Sequence, residues 1–381
     1  MICSFFGLWG VYDPLKNAWI DRLLRALIAS GAVIWFRRNI VECEERSERP
    51  MLTLLDRAAN LYGLPASILR PVRGGHFSRA YGYTRHEKSY IFRITPPNDD
   101  INLARMLTVL DWMDFLTEHG APVPRLVRSQ QGSLLEVLEQ DDGEYLVVMS
   151  EAAPGVLSEE FPLDRWNDYL FSCLGRSVGK MHALAKGYTP PRGDFPRPVW
   201  HTAGQSYTPP PEDDPAQSTI RQKRLDVIRY LQTLPRDLAG YGITHADLHF
   251  GNFFVDAATD TITIFDFDDC AYGWYILDIA MLLHDVLVLY AGADREAFAA
   301  RFLRALLQGY RQEKLLDPFW IRQMPYFLKL LEGQLYQMVY RFYEAGDADG
   351  WVSKFMPGRK ARIENDVPYI ALDFEKGDWL A

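Results

Sequence analysis

Hydrophobic positions in the first part of the chain follow the two-residue period of β-strands, interrupted once by a helical period. Residues 69–95 predict three strands, separated by a bend at "RGG" and a polar turn at "HEKS", and two more follow in "SLLEVLE" and "EYLVVMS". Between the third and fourth strands, "NLARMLTVLDWMDFLTEHG" has apolar residues at helical spacing and stops at Gly120. This pattern predicts a small antiparallel sheet with one inserted helix.

After about residue 150 the helical period dominates. "YLFSCLGRSVGKMHAL" predicts a long apolar helix, and further helices are predicted from Ile276, from Arg295 and over residues 325–343. A proline-rich stretch, residues 188–217, predicts a surface loop. We therefore expect an α+β fold with two lobes: a β-rich N-terminal lobe over residues 51–149 and an α-helical C-terminal lobe over residues 150–381.

The first 50 residues do not resemble the rest. Their apolar run "ALIASGAVIWF" is shorter than the roughly 20 residues that span a bilayer, and the sequence does not open with the basic segment of a signal peptide. A polar stretch follows, and an amphipathic helix is predicted from Met51. We expect Met51 to be the native start and residues 1–50 to be an N-terminal extension from an upstream start site. The alternative is a short amphipathic appendage that contacts a membrane.

Composition restricts the classes of function. The net charge is -9 and the sequence pI is about 5.5, which gives no basic face for nucleic acid. Four cysteines are scattered without the spacing of a zinc site or a disulfide framework, and such free thiols are typical of a reducing compartment. We expect a cytoplasmic protein without stable membrane association. The sequence leaves the oligomeric state open.

Acidic side chains follow buried strand patterns in "ITHADLHFGNFFVDAATDTITIFDFDDC". In "TITIFDF", alternation places Asp266 at the end of an otherwise apolar side, where a lone carboxylate needs a hydrogen-bond cage or a cation. The turn "DAATD" brings Asn252 to the same end of a hairpin, and Asp247 stands five residues before Asn252. One amide oxygen and one carboxylate suit a Mg²⁺ ion that also binds phosphates, and the alternative is a structural polar network.

The order of these residues resembles a known arrangement. His245-x-Asp247-x-x-x-x-Asn252, followed by a strand and Asp266-Phe267, resembles the catalytic loop and metal aspartate of eukaryotic-like kinases. "HADLHFGN" with "IFDFDDCAYGWYILDIA" resembles the aminoglycoside phosphotransferase and choline kinase family, near bacterial type II homoserine kinases and stress-response kinases. "YIFRITP", "VMSEAAPG" and "LGRSVGKMHAL" extend the resemblance from about Met51 to the C-terminus.

The resemblance implies roles for residues of the second lobe. Asp247 would be the catalytic residue, orienting the acceptor hydroxyl and taking its proton, and Asn252 and Asp266 would bind Mg²⁺. His245 and Asp278 would support the catalytic loop.

The resemblance also implies a nucleotide site in the first lobe. Arg93 stands in the place of the kinase lysine and would hold the α- and β-phosphates of ATP. The remaining predicted nucleotide contacts are a phosphate-covering loop and an adenine-binding hinge: Gly74, Gly75 and Ser78, and then Ser150 and Ala152.

One position departs from the family. A glutamate of the first-lobe helix usually pairs with the basic residue of the third strand, and this chain has Val109 there. Asp111 or Asp114 could replace it from another turn, although each faces differently on the helix. Either another carboxylate holds Arg93, or phosphate positioning is weaker, as in a slow or inactive homologue.

The roles of several other polar residues remain open. Asp268 and Asp269 are ambiguous: Asp268 could contact metal or substrate, or it could cap a helix or be solvated. No role is assigned to His182, His249 and His284, which are favoured as structural histidines over ligands. A late-helix stripe could line a pocket for a cationic acceptor, although interior packing is favoured; it consists of Glu332, Tyr336, Tyr340 and Tyr343.

The resemblance implies an enzyme that uses ATP and Mg²⁺ to phosphorylate a hydroxyl of a small molecule. The expected acceptors are amino alcohols, hydroxy amino acids and aminoglycoside-like compounds. The alternatives are a Ser/Thr protein kinase on the same scaffold and a nucleotide-binding pseudoenzyme.

Overall fold

The structure is a computed structural model that describes residues 53–72, 78–98, 101–190, 215–344 and 350–377. The predictions for residues 1–50 and for Gly74 and Gly75 lie outside these ranges. The chain divides after Ser67 into two compact units. In the first unit, residues 53–60 of the predicted helix are helical (α1), and Gly63 has a φ of 66° in the turn that follows.

The second unit begins with an antiparallel sheet. Its strands are β1 (Arg70–Val72), β2 (Arg79–Arg85), β3 (Lys88–Thr95), β4 (Leu126–Val127), β5 (Glu136–Gln140) and β6 (Gly143–Glu151). Their order is β1-β2-β3-β6-β4, and β5 also pairs with β6. Helix α2 (Leu103–Glu118) follows β3, as predicted, and the Asn102 side chain caps it by accepting the N–H of Arg105. The two-residue strand β4 is too short for its period to be recognised.

Two smaller sheets lie within the helical part. β7 (Val156–Leu157), β9 (Phe253–Asp256) and β10 (Thr261–Ile264) form one, and β8 (Tyr241–Thr244) and β11 (Ala271–Trp274) form the other. The predicted hairpin is present, with Asp256 opposite Thr261. However, β10 ends at Ile264, and Asp266 has a φ of 65°, outside the strand in which we predicted it. The left-handed residue turns the chain so that Phe267 becomes buried.

The remaining elements are helices. They are α3 (Asp168–Ala185), α4 (Pro215–Leu231), α5 (Ile276–Leu289), α6 (Arg295–Tyr310), α7 (Pro318–Glu344), α8 (Gly350–Phe355) and α9 (Arg359–Glu364).

Two boundaries differ from prediction. α4 begins within the predicted loop, because a proline is well suited to the first turn of a helix. α7 begins at Pro318 rather than Pro325, since the Asp317 carboxylate accepts the N–H of Phe319 and the helix continues through the second proline.

Helices α3 and α6 pack at unusually short separation beneath the hairpin. A Cβ on Gly175 would lie 1.8 Å from the main-chain oxygen of Leu306, and one on Gly309 would lie 1.8 Å from that of Ser172. On the other side of α3, the Ser177 hydroxyl donates to the carbonyl of Ile262 in β10 at 3.2 Å. This helix pair therefore supports the hairpin that carries Asn252 and leads into Asp266.

Candidate active site

Residues 245–252 form a loop that is anchored on the first turn of α5. The Asp278 carboxylate is fully buried and accepts the main-chain N–H groups of His245 at 2.8 Å and Ala246 at 2.9 Å. It also lies 2.9 Å from His182 Nε2, while His182 Nδ1 faces the Tyr310 hydroxyl at 3.0 Å. Asp278 thus contacts the loop as its predicted supporting role requires. His182 therefore helps to hold the Asp278 carboxylate in place.

His245 links the loop to the end of β10. Its Nε2 donates to the carbonyl of Phe265 at 2.8 Å, and its ring lies 4.7 Å from the ring of Phe267. The following residue, Ala246, has a φ of 63°, which turns the chain toward Asp247. Buried aromatic and main-chain contacts therefore fix the start of the loop, as expected for a supporting residue.

Asp247 and Asn252 are joined directly. The Asn252 amide nitrogen donates to the main-chain oxygen of Asp247 at 2.8 Å and to its carboxylate Oδ2 at 3.1 Å. The N–H of Phe265 donates to the Asn252 carbonyl at 3.0 Å, which places Asn252 beside the turn that contains Asp266. The Asp247 side chain is 41% exposed and can be reached by a ligand. Because the amide nitrogen faces Asp247, Asn252 Oδ1 is the atom available to a cation.

Asp266 lies in an acidic environment. Burial and the charge of Asp268 raise its pKa to about 6, and the charge of Asp247 acts in the same direction while Arg93 opposes it. No cluster of three His, Cys, Asp or Glu side chains able to hold a metal occurs within the described ranges. One carboxylate and one amide oxygen nevertheless fit Mg²⁺, which keeps several waters and binds phosphates. A cation here would also relieve the repulsion between the carboxylates.

Arg93 is paired with a carboxylate outside helix α2. Its Nη1 donates to Asp268 Oδ2 at 2.9 Å, and its Nη2 donates to Asp268 Oδ1 at 3.1 Å. Burial lowers the pKa of Arg93, but the charges of Asp268 and Asp266 outweigh it and keep the guanidinium charged. The alternatives in α2 bind elsewhere: Asp111 accepts the Tyr188 hydroxyl, and Asp114 accepts Arg128. Neither aspartate takes the place of the family's glutamate, at whose position this chain has Val109.

A second arginine holds the same segment. Arg105, in the first turn of α2, donates from Nε at 3.1 Å and from Nη2 at 2.8 Å to the main-chain oxygen of Asp268. Its Nη2 also donates to the Asp269 carboxylate at 2.8 Å. Sequence reasoning missed Arg105, because an arginine on a helix is usually solvated and its partners lie more than 160 residues away.

His249 is a further residue close to Asp247. Its Nε2 lies 3.6 Å from Asp247 Oδ2, and its Nδ1 lies 2.9 Å from the main-chain nitrogen of Gly251. Burial opposes protonation, but Asp247, Asp285 and Glu159 outweigh it and raise the pKa of His249 to about 9. Although burial also opposes ionisation of Asp247, hydrogen bonding to His249 and its charge lower the pKa of that carboxyl.

The predicted nucleotide contacts lie along the sheet. The Ser78 hydroxyl is 2.8 Å from the Thr95 hydroxyl, just before β2. Ser150 is paired with Ile91 in the β3–β6 ladder, and the N–H of Ala152 donates to the carbonyl of Ser89 at 2.8 Å. Arg93 is the predicted nucleotide residue that the structure brings to the acidic turn. Because the Ala152 N–H is already engaged, it is not open to an adenine ring nitrogen that accepts a hydrogen bond.

The stripe on the late helix packs into the interior at its first two positions. Glu332 is buried and accepts Arg359 Nη1 at 2.6 Å, and Tyr336 is buried against Phe355. Both side chains are therefore packed in the interior, which is the alternative that the sequence favoured. Glu332 also borders a cavity of about 350 Å³ between α4, α7 and the segment 363–367.

Several known proteins resemble this chain in sequence and in fold. The profile of the phosphotransferase enzyme family matches residues 68–316. The amicoumacin kinase of Bacillus subtilis (strain 168) is 31% identical over 331 residues, covering 84% of this chain and 94% of that protein. An amicoumacin kinase solved with AMP-PNP and Ca²⁺ is 30% identical, with a TM-score of 0.76, and covers 87% of this chain and 98% of its own. A microcompartment-associated aminopropanol kinase, at 22% identity and a TM-score of 0.60 over 82% of this chain and 97% of its own, shares the fold.

The chain therefore belongs to the phosphotransferase enzyme family, and its fold is the two-lobe, kinase-like α+β fold that the motifs predict. Its relatives are kinases of small molecules, which confirms the prediction of a small-molecule phosphotransferase that uses ATP and a divalent cation. Within the described ranges, no helix is long and apolar enough to cross a membrane.

Proposed function

We propose that this chain transfers the γ-phosphoryl group of ATP to a hydroxyl of amicoumacin or of a closely similar small molecule. The observation that carries the proposal is the 31% identity to an amicoumacin kinase over 84% of this chain and 94% of that protein. The second lobe supports it with an exposed carboxylate on a rigidly anchored loop. In the reaction, the acceptor oxygen bonds to the γ-phosphorus while the bond from that phosphorus to the bridging oxygen breaks and ADP leaves.

Asp247 is the residue proposed to orient the acceptor hydroxyl and take its proton. The amide of Asn252 holds its carboxylate in one orientation, and His249 keeps it ionised and ready to accept a hydrogen bond. The acidic residues around His249 give this region a negative field, which favours an acceptor that carries an amine.

Asn252 Oδ1 and the Asp266 carboxylate are the proposed protein ligands of Mg²⁺, with Asp278 and His245 fixing the loop between them. The ion, when bound, supplies charge stabilisation to the transferring phosphoryl group. Arg93 is proposed to hold the α- and β-phosphates, and residues Gly74, Gly75 and Ser78 to cover them. Main-chain groups from Ser150 to Ala152 are proposed to bind adenine. We also propose that the protein acts in the cytoplasm without nucleic-acid partners, on the basis of its cysteines and charge.

The proposal is tested by Mg²⁺-dependent ADP release from the full chain. Amicoumacin, 1-amino-2-propanol, spectinomycin and a generic protein substrate would be compared as acceptors. Asp247→Asn should lower kcat by about 100-fold or more, the scale of a lost acid–base group. Asp294→Asn is the matched control, because an asparagine can replace this capping aspartate of α6.

Stimulation of ADP release by amicoumacin, with the phosphorylated product identified by mass spectrometry, is the expected result. Stimulation by the protein substrate alone would overturn the proposed acceptor. Equal activity of the Asp247→Asn and Asp294→Asn variants would overturn the role of Asp247.

A further inference from the structure

The family's ion pair between a third-strand base and a helix glutamate has no counterpart in α2. Val109, at the position of the glutamate, is 3% exposed among apolar residues, and the acidic side chains Asp111 and Asp114 have other partners. Arg93 is nevertheless held by both oxygens of one carboxylate, the arrangement that fixes a guanidinium most firmly.

We propose that Asp268 is the positioning residue for Arg93, and that Arg105 connects helix α2 to it. The inference rests on the proposed function, because it concerns how Arg93 meets the nucleotide phosphates. The usual ion pair between strand and helix is replaced here by a path from α2 through Arg105 and Asp268 to Arg93.

Distances and exposure support a positioning role. The Arg93 and Asp268 side chains are 23% and 19% exposed, so their pair is partly withdrawn from water but not closed off from it. Arg93 also donates from Nη2 to Met106 Sδ at 3.3 Å. These bonds use three of the five N–H groups of a guanidinium and leave Nε–H and one Nη1–H for phosphate oxygens. Arg93 can therefore keep Asp268 while it binds a nucleotide.

The position of Asp268 in the chain has a mechanical consequence. It lies two residues after Asp266, and both belong to the tight turn of residues 266–269. Arg105 fixes the main-chain oxygen of Asp268, so the turn is held by a side-chain contact and a main-chain contact at once. A change in the turn would therefore move both Arg93 and the proposed cation ligand, which couples binding of the nucleotide to binding of the metal.

The first experiment measures ADP binding by calorimetry in the absence and presence of Mg²⁺, using Asp268→Asn. Loss of the charged, bidentate partner should weaken ADP binding by about tenfold or more, on the scale of a lost charge-assisted hydrogen bond. KM for ATP should rise more than kcat falls. Asp114→Asn is the matched control, because it removes another arginine–aspartate contact of 2.8 Å from the same lobe; it should change ADP binding by less than about twofold.

A rescue and a double-mutant cycle separate positioning from simple stabilisation. Met106→Glu would place a carboxylate where a thioether now touches Arg93, and it should restore ADP affinity in the Asp268→Asn background. In an Arg93→Gln background, Asp268→Asn should have little further effect on ADP affinity, because the two residues act as one unit.

The outcomes are distinguishable. If the wild-type chain fails to bind ADP, the proposed function is wrong. If it binds ADP and the Asp268→Asn variant binds equally well while unfolding at lower temperature, Asp268 is only a structural bridge and the inference is wrong. If Asp268→Asn fails to fold, Arg105→Gln tests the connection to α2 instead, because it releases the main-chain oxygen of Asp268. ADP binding should again weaken, and unchanged ADP binding would overturn the inference.

Discussion

The Asp278 carboxylate meets three polar groups that would otherwise be buried without partners. Two are main-chain N–H groups of the loop of residues 245–252, and the third is the His182 ring. A buried donor without a partner costs about 1–3 kcal/mol, so this single side chain helps to keep the loop in one conformation. Motif spacing could single out Asp278 and His245 because each lies in a short, recognisable stretch of chain.

Other residues near the site have no local signature. Arg105 and Asp268 become neighbours only when the sheet and the helical lobe have folded, and His249 depends on acidic residues of α5 and of the segment after β7. Asp268 and His249 lie within the motif stretches, but nothing in those stretches shows which distant residue each one meets. Sequence reasoning could therefore offer another carboxylate as one of two explanations for Val109, but it could not choose Asp268.

The buried side chain of His284 should make the stability of the protein depend on pH. Burial, with the nearby charges of Arg359 and Arg295, lowers its pKa from the ordinary 6.5 to about 3. Below pH 6.5 the unfolded chain binds a proton that the folded chain excludes, so stability should fall as pH decreases from 6.5 toward 3. One such group contributes a slope of up to about 1.4 kcal/mol per pH unit.

The measurement is urea unfolding between pH 7.5 and pH 4.5 for the wild type and His284→Phe. The ring of His284 stacks on Tyr369 at 4.4 Å, and its Nε2 has no hydrogen-bond partner in the described part of the chain, so phenylalanine can fill its place. The variant should show the shallower dependence, with His182 supplying part of what remains. Parallel pH profiles for the two proteins would show that His284 does not cause the effect.

At the scale of elements, periodicity located most helices and strands because each buries one face. It failed at boundaries that are set by prolines or by a left-handed residue rather than by the burial of one face. α4 starts behind a series of prolines, and α7 runs through an internal proline, so composition obscured both starts. Strand β10 ends early because Asp266 takes a left-handed conformation, which no alternation pattern can indicate.

The glycines between α3 and α6 give a prediction at this scale. Gly175→Ala would force its Cβ to within 1.8 Å of the main-chain oxygen of Leu306, so the helices must separate. We expect a loss of about 2–4 kcal/mol in the free energy of unfolding, as for other overpacked cores. Gly333→Ala is the matched control in helix α7, because its Cβ would meet nothing nearer than 3.8 Å.

The control should instead gain about 0.5–1 kcal/mol, since alanine is the better helix former. Urea denaturation of both variants gives the comparison. A Gly175→Ala variant as stable as the wild type would mean that the α3–α6 separation is easily changed, and that the hairpin above it is less rigidly supported than the contacts indicate.

At the scale of the whole molecule, the two lobes of the kinase-like fold meet at the turn of residues 266–269. Arg93 and Arg105 reach this turn from the first lobe. Asp266 is part of the turn, and Asn252 lies beside it in the second lobe. The fold class was predictable because the order of motifs is specific. The way in which the lobes are joined was not, because it depends on ion pairs between residues far apart in sequence.

The last prediction concerns the cation at this junction. Asp266 is a partly buried carboxylate close to Asp268 and Asp247, so without a cation it should destabilise the folded chain. Asp266→Asn should therefore raise the unfolding free energy of the ligand-free protein, by about 1 kcal/mol, while removing a proposed Mg²⁺ ligand.

In the wild type, ADP with Mg²⁺ should stabilise the protein more than ADP with EDTA, approaching about 2.7 kcal/mol when ligand exceeds its Kd by a hundredfold. Asp266→Asn should lose this Mg²⁺-dependent gain. Asp294→Asn, far from the acidic turn in sequence and exposed, should keep it. Differential scanning calorimetry of the three proteins decides the matter: a Mg²⁺-dependent gain that persists in Asp266→Asn would place the cation elsewhere, and a less stable ligand-free variant would show that Arg93 already compensates the carboxylate.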